Sequence, residues 1–237
     1  MATRQNAHPP MEPLSPPMMH KLVFTILVHG LPDSQTGIAL DVLNEAQSNP
    51  NPQVRELAVV ALAELPVSPA KRVNALMRGL QDSVARVRRR AARALGDFGM
   101  HALPAIPSLI SGLRDHDASV RRDAAGTLGR LGHAAGSATE NLITLLADPD
   151  TRTRVVVSTA LKRIGRPAVP ALMITLLNPN AELRARAVNL LGQIAPDDED
   201  VIEAIQNAAS DWDEEVRKQA EIVLGIDTVP IAELIEA

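Results

Sequence analysis

The chain has 237 residues, 46% of them apolar and 1% aromatic, so a sizeable core must be built from closely spaced Ala, Leu, Val and Ile. It contains no cysteine, which excludes disulfides, thiolate metal sites and cysteine nucleophiles and fits a reducing, cytoplasmic setting. The net charge of −4 conceals a split, with residues 71–166 at +9 and residues 167–237 at −10, a pattern that points to a charged partner.

In chain order, residues 1–19 hold five prolines and no apolar period, and are predicted to be a disordered leader. The run "KLVFTILVHGL" (21–31) is too short to span a membrane and lacks a basic flank and a small-residue cleavage site. It is predicted to be a buried N-terminal capping helix over 20–34 rather than a targeting signal.

From residue 35 the chain repeats itself, a signature that decides the fold class. The dipeptide Val54-Arg55 recurs as Val87-Arg88, Val120-Arg121, Thr153-Arg154, Leu183-Arg184 and Val216-Arg217, in steps of 33 except for one of 30. Four residues after each anchor stands Ala58, Ala91, Ala124, Val157, Ala187 or Ala220, and eight after it Leu62, Leu95, Leu128, Leu161, Leu191 or Leu224. That spacing is one face of a helix. Upstream of each lies a second apolar-periodic segment, such as "IPSLISGL" (106–113) and "VPALMITLL" (169–177). Each unit is therefore helix, tight turn, helix. The predicted units are 35–66, 67–99, 100–132, 133–165, 166–195 and 196–226, and residues 227–237 form a C-terminal capping helix.

The turns carry their own chemistry. Five residues before each anchor stands Asn49, Asp82, Asp115, Asp148, Asn178 or Asp211. Two residues further on, Asn51, Asp117, Asp150, Asn180 and Asp213 are placed to cap the second helices, with Ser83 as the substitute in the unit of Val84. Gly99, Gly132 and Gly165 are placed to end second helices.

The pattern D-x-[DN]-x-x-V-R-x-x-A-x-x-x-L-G, seen most fully in "DHDASVRRDAAGTLGRLG" (115–132), resembles the HEAT repeat, of the HEAT-like type named in phycobilisome lyases. The resemblance implies an all-α fold, a right-handed α-solenoid of about six helix pairs, with second helices on the concave face. It also implies a ladder of turn acids and second-helix arginines: Asp82 with Arg88, Asp115 with Arg121, Asp148 with Arg154 and Asp211 with Arg217. Asn49 with Arg55 and Asn178 with Arg184 are neutral variants.

The search for catalytic chemistry returns little. None of the six histidines is followed by Glu, unlike the iron-binding His-Glu pairs of a HEAT-like hydroxylase. The D-x-[DN] turns lack the glycine and bidentate glutamate of a calcium loop. No phosphate-binding glycine loop or nucleophile elbow is present. The expectation is a non-enzyme with no cofactor and no metal.

With the anchor, +4 and +8 columns in the core, positions +2, +3 and +6 are predicted to face the concave side. There Arg89, Arg90, Arg93, Arg122, Val155, Val156 and Arg186, joined by Arg130, form a candidate partner-binding strip. The favoured reading is a cytoplasmic, monomeric protein-interaction scaffold with no membrane association, binding an acidic, partly apolar partner. Two others stand beside it: a solenoid binding nucleic-acid phosphates through the arginines, and a chaperone- or lyase-like subunit acting on phycobiliproteins. Trp212, in the sixth turn, suits a partner contact and turn packing equally.

Overall fold

The structure, a computed structural model, describes residues 14–226. The predicted C-terminal capping helix and residues 1–13 of the leader lie outside them. The described chain is made of helices and their connecting turns and divides into two compact units, of residues 14–95 and 96–226.

In the first unit, α1 (Pro16–Phe24) runs into a wider π-type turn at Thr25–His29, followed by α2 (Asp33–Ala46), α3 (Pro52–Glu64), α4 (Pro69–Gly79) and α5 (Ala85–Leu95). α2 with α3, and α4 with α5, are the first two helix pairs. α1 begins inside the stretch whose prolines suggested disorder, because Pro16 and Pro17 occupy the first turn, where no N–H is missed. It packs on α3, where an earlier second helix would lie. Only one side of this segment is inward: Met19, Val23 and Ile26 are buried, whereas Phe24, Leu27 and Val28 are more than half exposed. The apolar run caps with one face and is not buried all round.

The second unit continues with α6 (Ile106–Gly112), α7 (Ala118–Leu131), α8 (Thr139–Thr144), α9 (Thr151–Ile164), α10 (Val169–Thr175), α11 (Ala181–Ile194), α12 (Glu199–Ala208) and α13 (Glu214–Leu224). Each even-numbered helix pairs with the next, and the second helices α7, α9, α11 and α13 stack in order. Each unit is an α-solenoid whose repeats bury apolar sides against their neighbours. The repeat columns are its core: Val54, Ala58 and Leu62, and their counterparts Val120, Ala124 and Leu128, are 0–1% exposed.

The second helices start where the sequence places them. Asn51, Asp117, Asp150, Asn180 and Asp213 each accept a backbone N–H from the first turn of the following helix. Ser83 does something else, accepting a hydrogen bond from the Arg55 guanidinium at 3.3 Å. Helices α7 and α9 end at Gly132 and Gly165, which take φ of 59° and 73°; this left-handed backbone costs any other residue more.

Candidate functional site

The repeated turns build the most regular polar structure in the molecule. Each turn Asp or Asn folds its Oδ1 back onto the amide two residues ahead, as Asp82 does to Val84 N at 2.8 Å and Asp148 to Asp150 N at 2.8 Å. The second-helix arginine then spans two repeats. Its Nη1 donates to the carbonyl of its own turn residue: Arg88 to Asp82, Arg121 to Asp115 and Arg217 to Asp211 at 2.8 Å, and Arg154 to Asp148 at 2.7 Å. Its Nε and Nη2 edge grips the carboxylate of the following turn. Arg55 holds Asp82 at 2.6 and 3.0 Å, Arg121 holds Asp148 at 2.7 and 2.9 Å, and Arg184 holds Asp211 at 2.9 and 2.8 Å.

The ladder is therefore offset by one repeat from the pairing expected at a separation of six. Asp82 with Arg88, Asp148 with Arg154, Asp211 with Arg217, and Asp115 with Arg121 meet through the aspartate's main-chain oxygen. The three gripped carboxylates, which already serve their own turn, face the preceding repeat instead. Arg55 and Arg184, the neutral variants, turn out to be charged rungs. Such forked pairs are stronger than single contacts and fix orientation as well.

The electrostatics follow. At Asp148, burial pushes the carboxyl up, but the Arg121 hydrogen bonds, the Asp150 amide and the Arg121 charge outweigh it and hold it below the usual carboxylate range. At Asp211 the Arg184 hydrogen bonds lead, and the carboxyl is again lowered. Trp212 lies over the Arg184 guanidinium, 4.5 Å from ring centre to Cζ, while remaining 75% exposed. It shields this rung with one face and offers the other to solvent.

Among the described residues, the junction of the fourth and fifth repeats lacks the ladder carboxylate. Asn178 stands in the position of Asp148 and Asp211, and Arg154 before it keeps a buried Nε without an acceptor. α9 packs closely on α7 and only loosely on α11. One column of the sequence accounts for this. Nine residues after the anchor stand Ala63, Gly96, Gly129, Lys162, Gly192 and Gly225. A Cβ on Gly129 would lie 2.7 Å from Ala160 Cα, and one on Gly192 would overlap Val223, so these glycines let α7 approach α9 and α11 approach α13. Lys162 stands in the same place on α9, at the junction where packing on α11 is loose. Between α9, α11 and α13 lies a groove of about 520 Å³, walled by Lys162, Glu182, Arg186, Asn189, Gln193 and Gln219 among others. Lys162 is absent from the residues predicted above; its signal in the sequence is the small-residue column it interrupts.

The predicted strip is distributed as follows. In the first unit Arg89, Arg90 and Arg93 are all exposed on α5. Arg90 reaches Glu56 at 3.5 Å, and Arg86 pairs with the same carboxylate at 2.5 Å. In the second unit Val155 is 61% exposed, whereas Val156 is half-buried and packs toward Gly126. Arg122 leans on Asp150 at 3.5 Å, and Arg186 pairs with Glu182 at 2.8 Å along α11 while lining the groove. Arg130 has a scaffold contact: its Nε donates to Gly96 O at 3.2 Å and its Nη2 to Thr127 Oγ1 at 3.0 Å, which ties the end of α7 to the preceding loop.

Among the described residues, no group of three or more His, Asp or Glu is arranged to hold a metal ion, and no helix is long and apolar enough to cross a membrane.

Stacked helix pairs joined by an Arg–Asp ladder define an α-solenoid repeat protein. The family model for HEAT repeats matches residues 39–106 and again 106–179. These segments span more than half of the sequence, and the chain belongs to the HEAT-repeat family. Among solved structures, an engineered protein is 22% identical, with a TM-score of 0.52 over 78% of this chain and 95% of that one. The CpcE–CpcF complex of phycocyanin lyase from Nostoc sp. is 24% identical, with a TM-score of 0.47 over 78% and 76%. The archaeal HEAT-like repeats protein of Thermococcus onnurineus is 18% identical, with a TM-score of 0.45 over 90% and 97%. No curated protein matches the chain.

Proposed function

We propose that this protein is a non-catalytic interaction scaffold that binds an acidic, partly apolar protein surface on its second-helix face. The observation that carries the reading is the exposed arginine row Arg89, Arg90 and Arg93 on α5. The fold explains Arg88, which reaches the Asp82 carbonyl, but the repeat pattern does not call for the other three. In the second unit, taken by itself, exposed Val155 on α9 is a separate apolar position on a second helix. HEAT-repeat folds typically serve as scaffolds, and a stack of small helices offers a long surface without an enclosed reaction site.

The test is affinity capture from the native host with the wild-type chain and the R89E/R90E/R93E variant, with and without nuclease. Loss of a specific protein partner in the triple variant supports the reading; unchanged recovery overturns it. A nuclease-sensitive complex, weakening steeply with salt, would identify phosphate recognition instead.

A further inference from the structure

We infer that the groove between α9, α11 and α13 is a docking slot for an extended peptide segment carrying an acidic residue at one end and a basic residue at the other. The inference rests on the reading of the chain as a protein-binding scaffold and assigns one site within it.

The groove is built into the sequence. Four of the six repeats have glycine, and one has alanine, nine residues after the anchor. Gly129 and Gly192 bring second helices together. Only the fourth repeat has a long side chain there, Lys162, and there the helices part. The same junction lacks its ladder carboxylate, since Asn178 replaces the aspartate and Arg154 Nε is left without an acceptor. Two independent departures from the repeat thus fall at one junction, Lys162 on the groove wall and the missing carboxylate at the neighbouring turn. Because the departures relax packing where Gly129 and Gly192 tighten it in the adjoining repeats, stability alone does not account for them.

The walls define the occupant. Asn189, Gln193 and Gln219 run along α11 and α13 into the groove. A side-chain amide both donates and accepts, which matches the alternating N–H and C=O groups of a main chain in extended form. At present these amides bond to one another or to a neighbouring acid: Asn189 to Gln219 at 3.5 Å, Gln193 to Asn189, and Gln219 to Glu215 at 3.0 Å. They are contacts that a peptide can exchange for its own. Small Ala181 and Ala185 leave room for backbone to approach α11 closely. Charge sets the direction. Lys162 stands exposed on the α9 wall, and Asp213 and Glu215 stand on the α13 side. A carboxylate at the α9 end and a cation at the α13 end complete the match. Crossing two interhelical steps of roughly 8–10 Å each, at about 3.3 Å per extended residue, places those charges about five to six residues apart. Arg186 on α11 is already paired with Glu182, and the remaining acids Asp213 and Glu215 on the α13 side disfavour a phosphate backbone.

The test is selection of a phage-displayed random dodecapeptide library on the intact protein. Fluorescence anisotropy of a labelled, synthesised winner then follows on variants whose thermal melts match wild type. The expected result is an enriched motif with an acid and a base about six residues apart. Its affinity falls at least tenfold in K162E and in N189A/Q219A, survives in K162R, and is unchanged in R89E/R90E/R93E. Absence of enrichment, a winner indifferent to K162E and N189A/Q219A, or tighter binding of a labelled oligothymidine than of the peptide each overturns the proposal. Capture of a partner that depends on the α5 arginines but not on Lys162 would overturn the groove while leaving the scaffold reading intact.

Discussion

Asp148 and Asp211 show how one side chain does two jobs at once. Each bonds its own turn, takes a forked guanidinium from the previous repeat, and does so in a half-dry setting. Removing such a carboxylate strands its arginine, so D148A should lower stability by about 3 kcal/mol, read from the urea midpoint. The converse applies at the missing rung. N178D offers Arg154 Nε the acceptor it lacks, and should raise stability by about 1 kcal/mol with an unchanged denaturant slope. The pH dependence has a definite sign. Both carboxyls are lowered in the folded chain, so their contribution is fully present above the unfolded value of about 3.9 and is lost as the pH falls through the folded one. Melting temperature should therefore drop on acidification below about pH 4, and D148N/D211N should flatten that drop.

At the scale of the element, the sequence shows which residues are inside better than it shows which repeat a polar residue serves. Val54, Ala58 and Leu62, and their counterparts down the stack, declare a helix face by spacing alone, and all are buried except Leu183 and Leu224, which are partly exposed. The caps at Asn51, Asp117 and Asp150 were equally legible because a cap acts on its own helix. The ladder was not, because its true partners stand 27 residues apart and a closer candidate at six presents itself in every repeat. Arg130 misled for a related reason: its place on the helix wheel matches the binding strip, but its length lets it fold back to Gly96. Lys162 needed the opposite habit, reading a column for its exception. That column also predicts a cost. G129A puts a methyl against the Ala160 backbone and should destabilise by about 1–3 kcal/mol, checked by urea denaturation.

Across the whole molecule, stability is expected to be a sum of repeat terms and nearest-neighbour terms. A lesion in one repeat is then felt next door and fades with distance. In native-state hydrogen exchange, G129A should lower protection most in α7 and α9 and less in α8, and leave α12 and α13 near wild type. Uniform loss across the second unit would mean that it opens as one cooperative block.

The offset ladder has a bearing on how such a chain grows. Because an arginine serves the turn that follows it, a duplicated repeat arrives with an arginine facing onward and an aspartate facing back. It can join its neighbours at both ends without any new residue having to arise. The junction of Arg154 with Asn178 differs, since Asn178 carries no charge and Arg154 Nε has no acceptor there, so the forked pair is missing. It is the place where one lineage's repeats could be spliced to another's at least loss, and a natural cut point for making chimeras of this protein.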